Sequence, residues 1–198
     1  KSGPVNALFD LAQQLARVLP VALEHRSKAE RGYDLFRGQA ALPVRASPVV
    51  LNRGMTAARA FHAIATAALA QVHANERGVI ESADPEYLHQ MRVGIRRLRS
   101  AFRLFRDLAG NHAAPQIDAL RIIAGALGPA RDWDVFATET LPAVRPALAA
   151  HGAAKTFELL CKGLRRSART RAKKSIKTIT YDESMIALGS WLASFDTP

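Results

Sequence analysis

From Leu88 to Arg106 the chain carries two interleaved repeats of one helical period. Leu88, Met91, Ile95, Leu98, Phe102 and Phe105 recur at spacings of 3, 4, 3, 4 and 3, and His89, Arg92, Arg96, Arg99, Arg103 and Arg106 recur in the same pattern one residue later. At 100° per residue each set spans an arc of about 100°, and the two arcs abut. The first set is a core seam. The second is a cationic stripe about 25 Å long at 1.5 Å per residue, with Arg97 lying off it. Asp84-Pro85-Glu86 supplies the start of this helix: a side-chain cap, a proline suited to the first turn and an acid suited to the dipole. Gly110 lies just past its expected end near Leu108.

Charge singles out a second helix of the same kind. Lys and Arg number 28 against 17 Asp and Glu, a net charge of +11. Residues 89–106 hold six Arg and residues 162–177 hold eight Lys or Arg, neither with an acid, so together they carry +14. The remaining 14 basic and 17 acidic residues sum to −3, so the excess is local. A helix over about 152–178 would bury Phe157, Leu160, Cys161, Leu164 and Ala168, and would place Lys162, Arg165, Arg166, Arg169, Lys173 and Lys177 on one arc of about 120°. Arg171 and Lys174 point elsewhere. Arginines four apart repel each other by a few tenths of a kcal/mol. Guanidinium forks match phosphate oxygens two at a time, so a turn-by-turn row suits an anion that is itself a row of phosphates. The plainer reading is a solvated basic surface.

The rest of the chain reads as helix with short loops. Residues 5–18 form an amphipathic helix with Leu8, Leu11, Leu15 and Val18 on one face, ended by Pro20. Residues 21–38 suggest extended pieces at Val21–His25 and Tyr33–Phe36, and residues 39–50, with two prolines, a linker. Further helices are expected over 55–80, over 115–126 with a stop at Gly128-Pro129, over 131–149 with a break at Pro142 and Pro146, and from about Asp182. Strand signals are almost absent after residue 50, which predicts an all-α, antiparallel helical bundle preceded by a short mixed N-terminal segment. No apolar run reaches the roughly 20 residues of a membrane span, so no membrane partner is expected. The single cysteine, Cys161, forms no intrachain disulfide, fits a reducing compartment, and reads as core.

His89 is either a polar residue of a first turn or a phosphate ligand at the top of the stripe, where backbone amides favour an anion. The other histidines, His25, His62, His73, His112 and His151, show no metal-ligand spacing, so no metal, cofactor or catalytic residue is assigned. Trp133 and Trp191 read as packing residues, and none of the 13 aromatics interleaves the second basic run. That disfavours single-stranded nucleic acid, which stacks on aromatic faces.

Residues 88–105, LHQMRVGIRRLRSAFRLF, resemble the signature of the CHAD family, the conserved histidine alpha-helical domain. The pattern His-x-x-Arg-Val-x-x-Arg-Arg-x-Arg is met by His89, Arg92, Val93, Arg96, Arg97 and Arg99, and Leu127-Gly128 followed by Arg131-Asp132-Trp133-Asp134-Val135 is similar to a second family feature. The resemblance implies two related four-helix halves that bind inorganic polyphosphate through basic residues. Residues 51–198 then form one half and the start of the second; the pore is incomplete or completed by another copy of the chain. Residues 21–36 resemble the end of a CYTH domain through Ser27-Lys28-Ala29-Glu30-Arg31-Gly32-Tyr33, so residues 1–38 read as its remnant. The Glu-x-Glu-x-Lys motif on which CYTH catalysis rests does not occur, and no catalytic residue is carried over.

Three functions follow as expectations. The first is non-enzymatic binding of inorganic polyphosphate through His89, Arg92, Arg96, Arg97, Arg99, Arg103, Arg106, Lys162, Arg165, Arg166, Arg169, Lys173 and Lys177, in the cytoplasm or at polyphosphate granules. The alternatives are a nucleic-acid-binding module, or an accessory domain of a CYTH-type triphosphatase whose catalytic part is absent.

Overall fold

The structure, a computed structural model, describes residues 5–19, 24, 26–37 and 42–195. Its elements are helices α1 (Val5–Val18), α2 (Lys28–Arg37), α3 (Ala57–Glu81), α4 (Pro85–Leu104), α5 (Arg106–Ala109), α6 (Ala114–Val135), α7 (Leu141–Ala150), α8 (Ala154–Ser175) and α9 (Ile179–Ser194). No strand occurs among the described residues, so the chain is all-α.

The core grows from the α4 seam. Leu88, Met91, Ile95, Leu98 and Phe102 are all buried, and Phe105 packs at the edge. α3 lies antiparallel to α4, and two glycines set the distance between them. A Cβ on Gly78 would overlap the Tyr87 ring, and one on Gly94 would sit 2.8 Å from Val72 Cγ2 and 3.0 Å from the Ala68 carbonyl. α6 packs on α4 and on α8, and α9 closes the bundle against α3, α6 and α1. Phe61, Phe102, Trp191 and Phe195 stack at centroid distances of 5.0 to 5.9 Å, so Trp191 is a packing residue, as is Trp133, 5.5 Å from Phe136.

Several boundaries differ from expectation, each for a local reason. Tyr33–Phe36 is helix, not an extended piece. Ser27 and Glu30 form a reciprocal cap, Ser27 N donating to Glu30 Oε2 at 2.6 Å and Glu30 N to Ser27 Oγ at 3.1 Å, which starts α2. Of the Val21–His25 piece, all but Glu24 lies outside the described residues. α4 ends at Leu104 rather than Leu108, because Phe105 turns in to meet Phe61 at 5.5 Å and Arg106 begins a separate turn. α6 does not stop at Gly128-Pro129 but runs on to Val135 with Pro129 inside it. An internal proline costs about 3 kcal/mol, and the full burial of Leu127 and Ala130 on either side outweighs that. A π-turn at Phe136–Thr140 then joins α6 to α7, which in turn runs through Pro146.

Two apolar faces also differ from expectation. Leu8, Leu11, Leu15 and Val18 of α1 are exposed; α1 meets α9 through Ala16 and through Phe9, whose ring lies over Gly189. On α8, Leu160 and Leu164 are exposed, while Cys161, Ala168 and Ala172, with Ile176 just past its end, are buried. On α8 the buried face is mostly small residues, which let two helices approach closely; periodicity marks a face as apolar without saying which neighbour it meets. Residues 42–56, in part the expected linker, hold no helix or strand, yet Asn75 grips the Val44 backbone by Val44 N to Oδ1 at 3.0 Å and Nδ2 to the Val44 carbonyl at 2.9 Å.

Candidate functional site

The cationic residues gather where α4 begins, α6 ends and the middle of α8 passes. Asp84 caps α4, its Oδ1 accepting from Glu86 N at 2.8 Å. One turn on, His89 is half-buried, and its pKa lies below the ordinary value because burial and the charges of Arg131, Arg96 and Arg92 outweigh the pull of Glu86. Arg92 reaches across to α6, Nη1 donating to the Ala124 carbonyl at 3.0 Å. Burial lowers its pKa as well, with Asp132 opposing and Arg131 and Arg96 adding to the effect. The guanidinium passes over Gly128, where a Cβ would lie in ordinary contact, 3.5 Å from Arg92 Nη1.

α8 joins through a buried acid. Asp134 is fully buried, and its Oδ1 accepts from Arg165 Nε at 2.7 Å and lies 3.5 Å from Arg169 Nη1. Arg169 Nη2 also donates to the Asp84 carbonyl at 3.4 Å, which ties α8 to the start of α4. Segments 31 and 85 residues apart in sequence thereby meet.

The predicted residues therefore divide. His89, Arg92 and Arg96 group around Arg131, and Arg165 and Arg169 group around Asp134, with Arg169 reaching the start of α4 at the Asp84 carbonyl. Arg99 and Arg103 continue the α4 stripe into solvent, and Lys162 and Arg166 are exposed on α8. Arg97 turns the other way, donating to Gln71 Oε1 at 2.8 Å in a buried chain that continues through Gln90 to Glu86. Arg106 lies beyond the end of α4 and pairs with Asp107 at 3.4 Å. Lys173 donates to the Ile80 carbonyl at 2.8 Å, capping the last turn of α3, and Lys177 is exposed past the end of α8. Arg131 and Asp134 belong to the cluster but were not assigned to the site from sequence. Both stand in the Arg-Asp-x-Asp segment, and that segment was the available signal.

The CHAD domain family model matches residues 63–198 and excludes the N-terminal segment. The crystal structure of the CHAD domain from the plant Ricinus communis is similar at 36% identity with a TM-score of 0.69. The match covers 79% of this chain and 52% of that one, so the chain spans about half the length of that solved domain. No curated protein matches. On the family match over more than half its length and on the shared helical architecture, the chain belongs to the CHAD domain family.

Proposed function

We propose that this chain is a non-enzymatic binding module that captures inorganic polyphosphate at the junction of α4, α6 and α8. The observation that carries the reading is that Arg92, Arg96 and Arg131 surround a desolvated His89, while Asp134, one turn after Arg131, holds Arg165 and Arg169, the latter reaching the start of α4. Asp132, Asp134 and Glu86 offset only part of that charge. Arg99, Arg103, Lys162 and Arg166, which form no ion pair among the described residues, extend the positive surface on both sides. Neighbouring phosphates on a linear chain could each meet a guanidinium fork, and counterion release would supply much of the binding free energy. Nucleic acid offers the same phosphate row but also bases. The rings of Phe61, Phe102, Trp191 and Phe195 are spent on one another inside the bundle, which favours the bare chain.

The test replaces Arg92, Arg96 and Arg99 together with Gln and titrates polyphosphate of defined length. Charge-assisted bonds contribute about 1.5–3 kcal/mol each before solvent screening, so the triple variant should bind more than tenfold more weakly while still folding. Arg171→Gln, whose side chain donates to Ser167 on its own helix, should change little. Single-stranded RNA at equal phosphate concentration should compete poorly, and the chain should release no phosphate from the polymer. Wild-type affinity in the triple variant would show these arginines to be a solvated face.

A further inference from the structure

Asp134 is an acid at the centre of a cluster whose proposed ligand is an anion. Counting charge alone, it should oppose binding. Its geometry says otherwise. The side chain is fully buried, and a buried carboxylate is costly unless paired. Its two ion pairs are to arginines of α8, four residues apart, and both use the same oxygen, Oδ1; Oδ2 has no hydrogen-bond partner among the described residues. One negative charge thus serves two guanidiniums and leaves the trio at +1. Arg165 gives Asp134 its Nε, and its Nη nitrogens make no hydrogen bond to the described residues. The two side chains are held at 30% and 15% exposure, against 81% for Arg106 at the end of the other stripe. Asp134 also stands one turn after Arg131, whose charge reaches His89 and Arg92.

We infer that Asp134 is a positioning residue: it draws Arg165 and Arg169 off the free surface of α8 and turns them toward the start of α4, where Arg169 reaches the Asp84 carbonyl, so that one phosphate chain can contact both helices. Arginine suits the task because it can give one nitrogen to the carboxylate and keep others for phosphate, whereas lysine has a single nitrogen to divide. The inference rests on the polyphosphate reading above.

The test uses the full chain and polyphosphate of defined length. Asp134→Asn makes the protein one unit more positive yet should weaken binding at least fivefold. It should also flatten the salt dependence, by about 0.7 in log–log slope for each phosphate no longer neutralised. In an Arg165→Gln, Arg169→Gln background the same substitution should change affinity less than twofold, because the residues it positions are gone. A damaged fold would instead lower the active fraction with an unchanged slope, and that result would overturn the inference. So would binding by the D134N protein equal to or tighter than wild type. Should D134N fail to fold, Arg165→Lys with Arg169→Lys keeps the charge and the acid; binding at least threefold weaker supports positioning, and unchanged binding refutes it. A wild-type chain that does not bind polyphosphate refutes the functional reading itself, whereas a binding wild type with an indifferent Asp134 refutes only this step.

Discussion

His89 illustrates how a side chain's role depends on its surroundings rather than on its place in a motif. Burial and the charges of Arg131, Arg96 and Arg92 lower its pKa, which favours the neutral ring in the free chain. A bound polyanion would favour the charged ring and raise that pKa, so binding should take up a proton. Affinity for polyphosphate should therefore rise as pH falls below neutrality, by at most about tenfold per pH unit for one proton. Replacing His89 with Gln should flatten that dependence, and a titration series across this range reads it directly. A pH profile identical in the His89→Gln protein would remove the ring from the site. Arg97 is the contrasting case: it belongs to the same motif, but a half-buried bond to Gln71 commits it to the α3 interface.

Between elements, glycines and buried acids decide how closely helices pack. Gly94→Ala would push a methyl group against Val72 and the Ala68 carbonyl, and backbone cannot give way cheaply. Overpacking of this kind costs about 1–3 kcal/mol, more than the roughly 1 kcal/mol gained in helix propensity, so the variant should melt at a lower temperature. Gly163, in the middle of α8 with open space around it, should behave oppositely; Gly163→Ala should stabilise by about 0.5–1 kcal/mol. The contact of α9 with α3 makes a second case. Glu76 accepts from the buried Tyr181 hydroxyl and lies 2.8 Å from His73 Nδ1. Burial first, then the charge of Glu76, raises Asp182 to about 6. A carboxyl raised in the fold contributes stability that is fully present below its unfolded pKa and is lost as pH climbs through the folded one. Asp182 should thus cost stability between about pH 4 and pH 6, by about 1 kcal/mol after discounting for its partial exposure. Asp182→Asn should remove that step and stabilise the protein at pH 7, measured by denaturant unfolding across pH.

For the molecule as a whole, the consequence of gathering +14 into residues 89–106 and 162–177 is a steep salt dependence. Log affinity for polyphosphate should fall linearly with log salt, by about 0.7 per phosphate neutralised on the analogy of single strands. A flat response would exclude the two-helix stripe as the binding surface. Much of this molecule is legible in its sequence. A helix repeats every 3.6 residues whatever surrounds it, so the seam Leu88 to Phe102 and the stripe beside it could be read from spacing alone, as could the all-α class and the start of α4 at Asp84-Pro85-Glu86. Spacing failed where a choice between neighbours was needed. Leu8, Leu11, Leu15 and Val18 are as periodic as the α4 seam, yet they face outward because Ala16 and Phe9 fit α9 more closely. Pro129 reads as a helix stop, yet α6 continues because Leu127 and Ala130 are fully buried. The selection of Arg165 and Arg169 from a run of basic residues was likewise decided only in three dimensions, by a carboxylate 31 residues before Arg165. Local sequence sets which residues share a face; a contact across that distance depends on how α6 and α8 pack, and packing is a property of the assembled bundle.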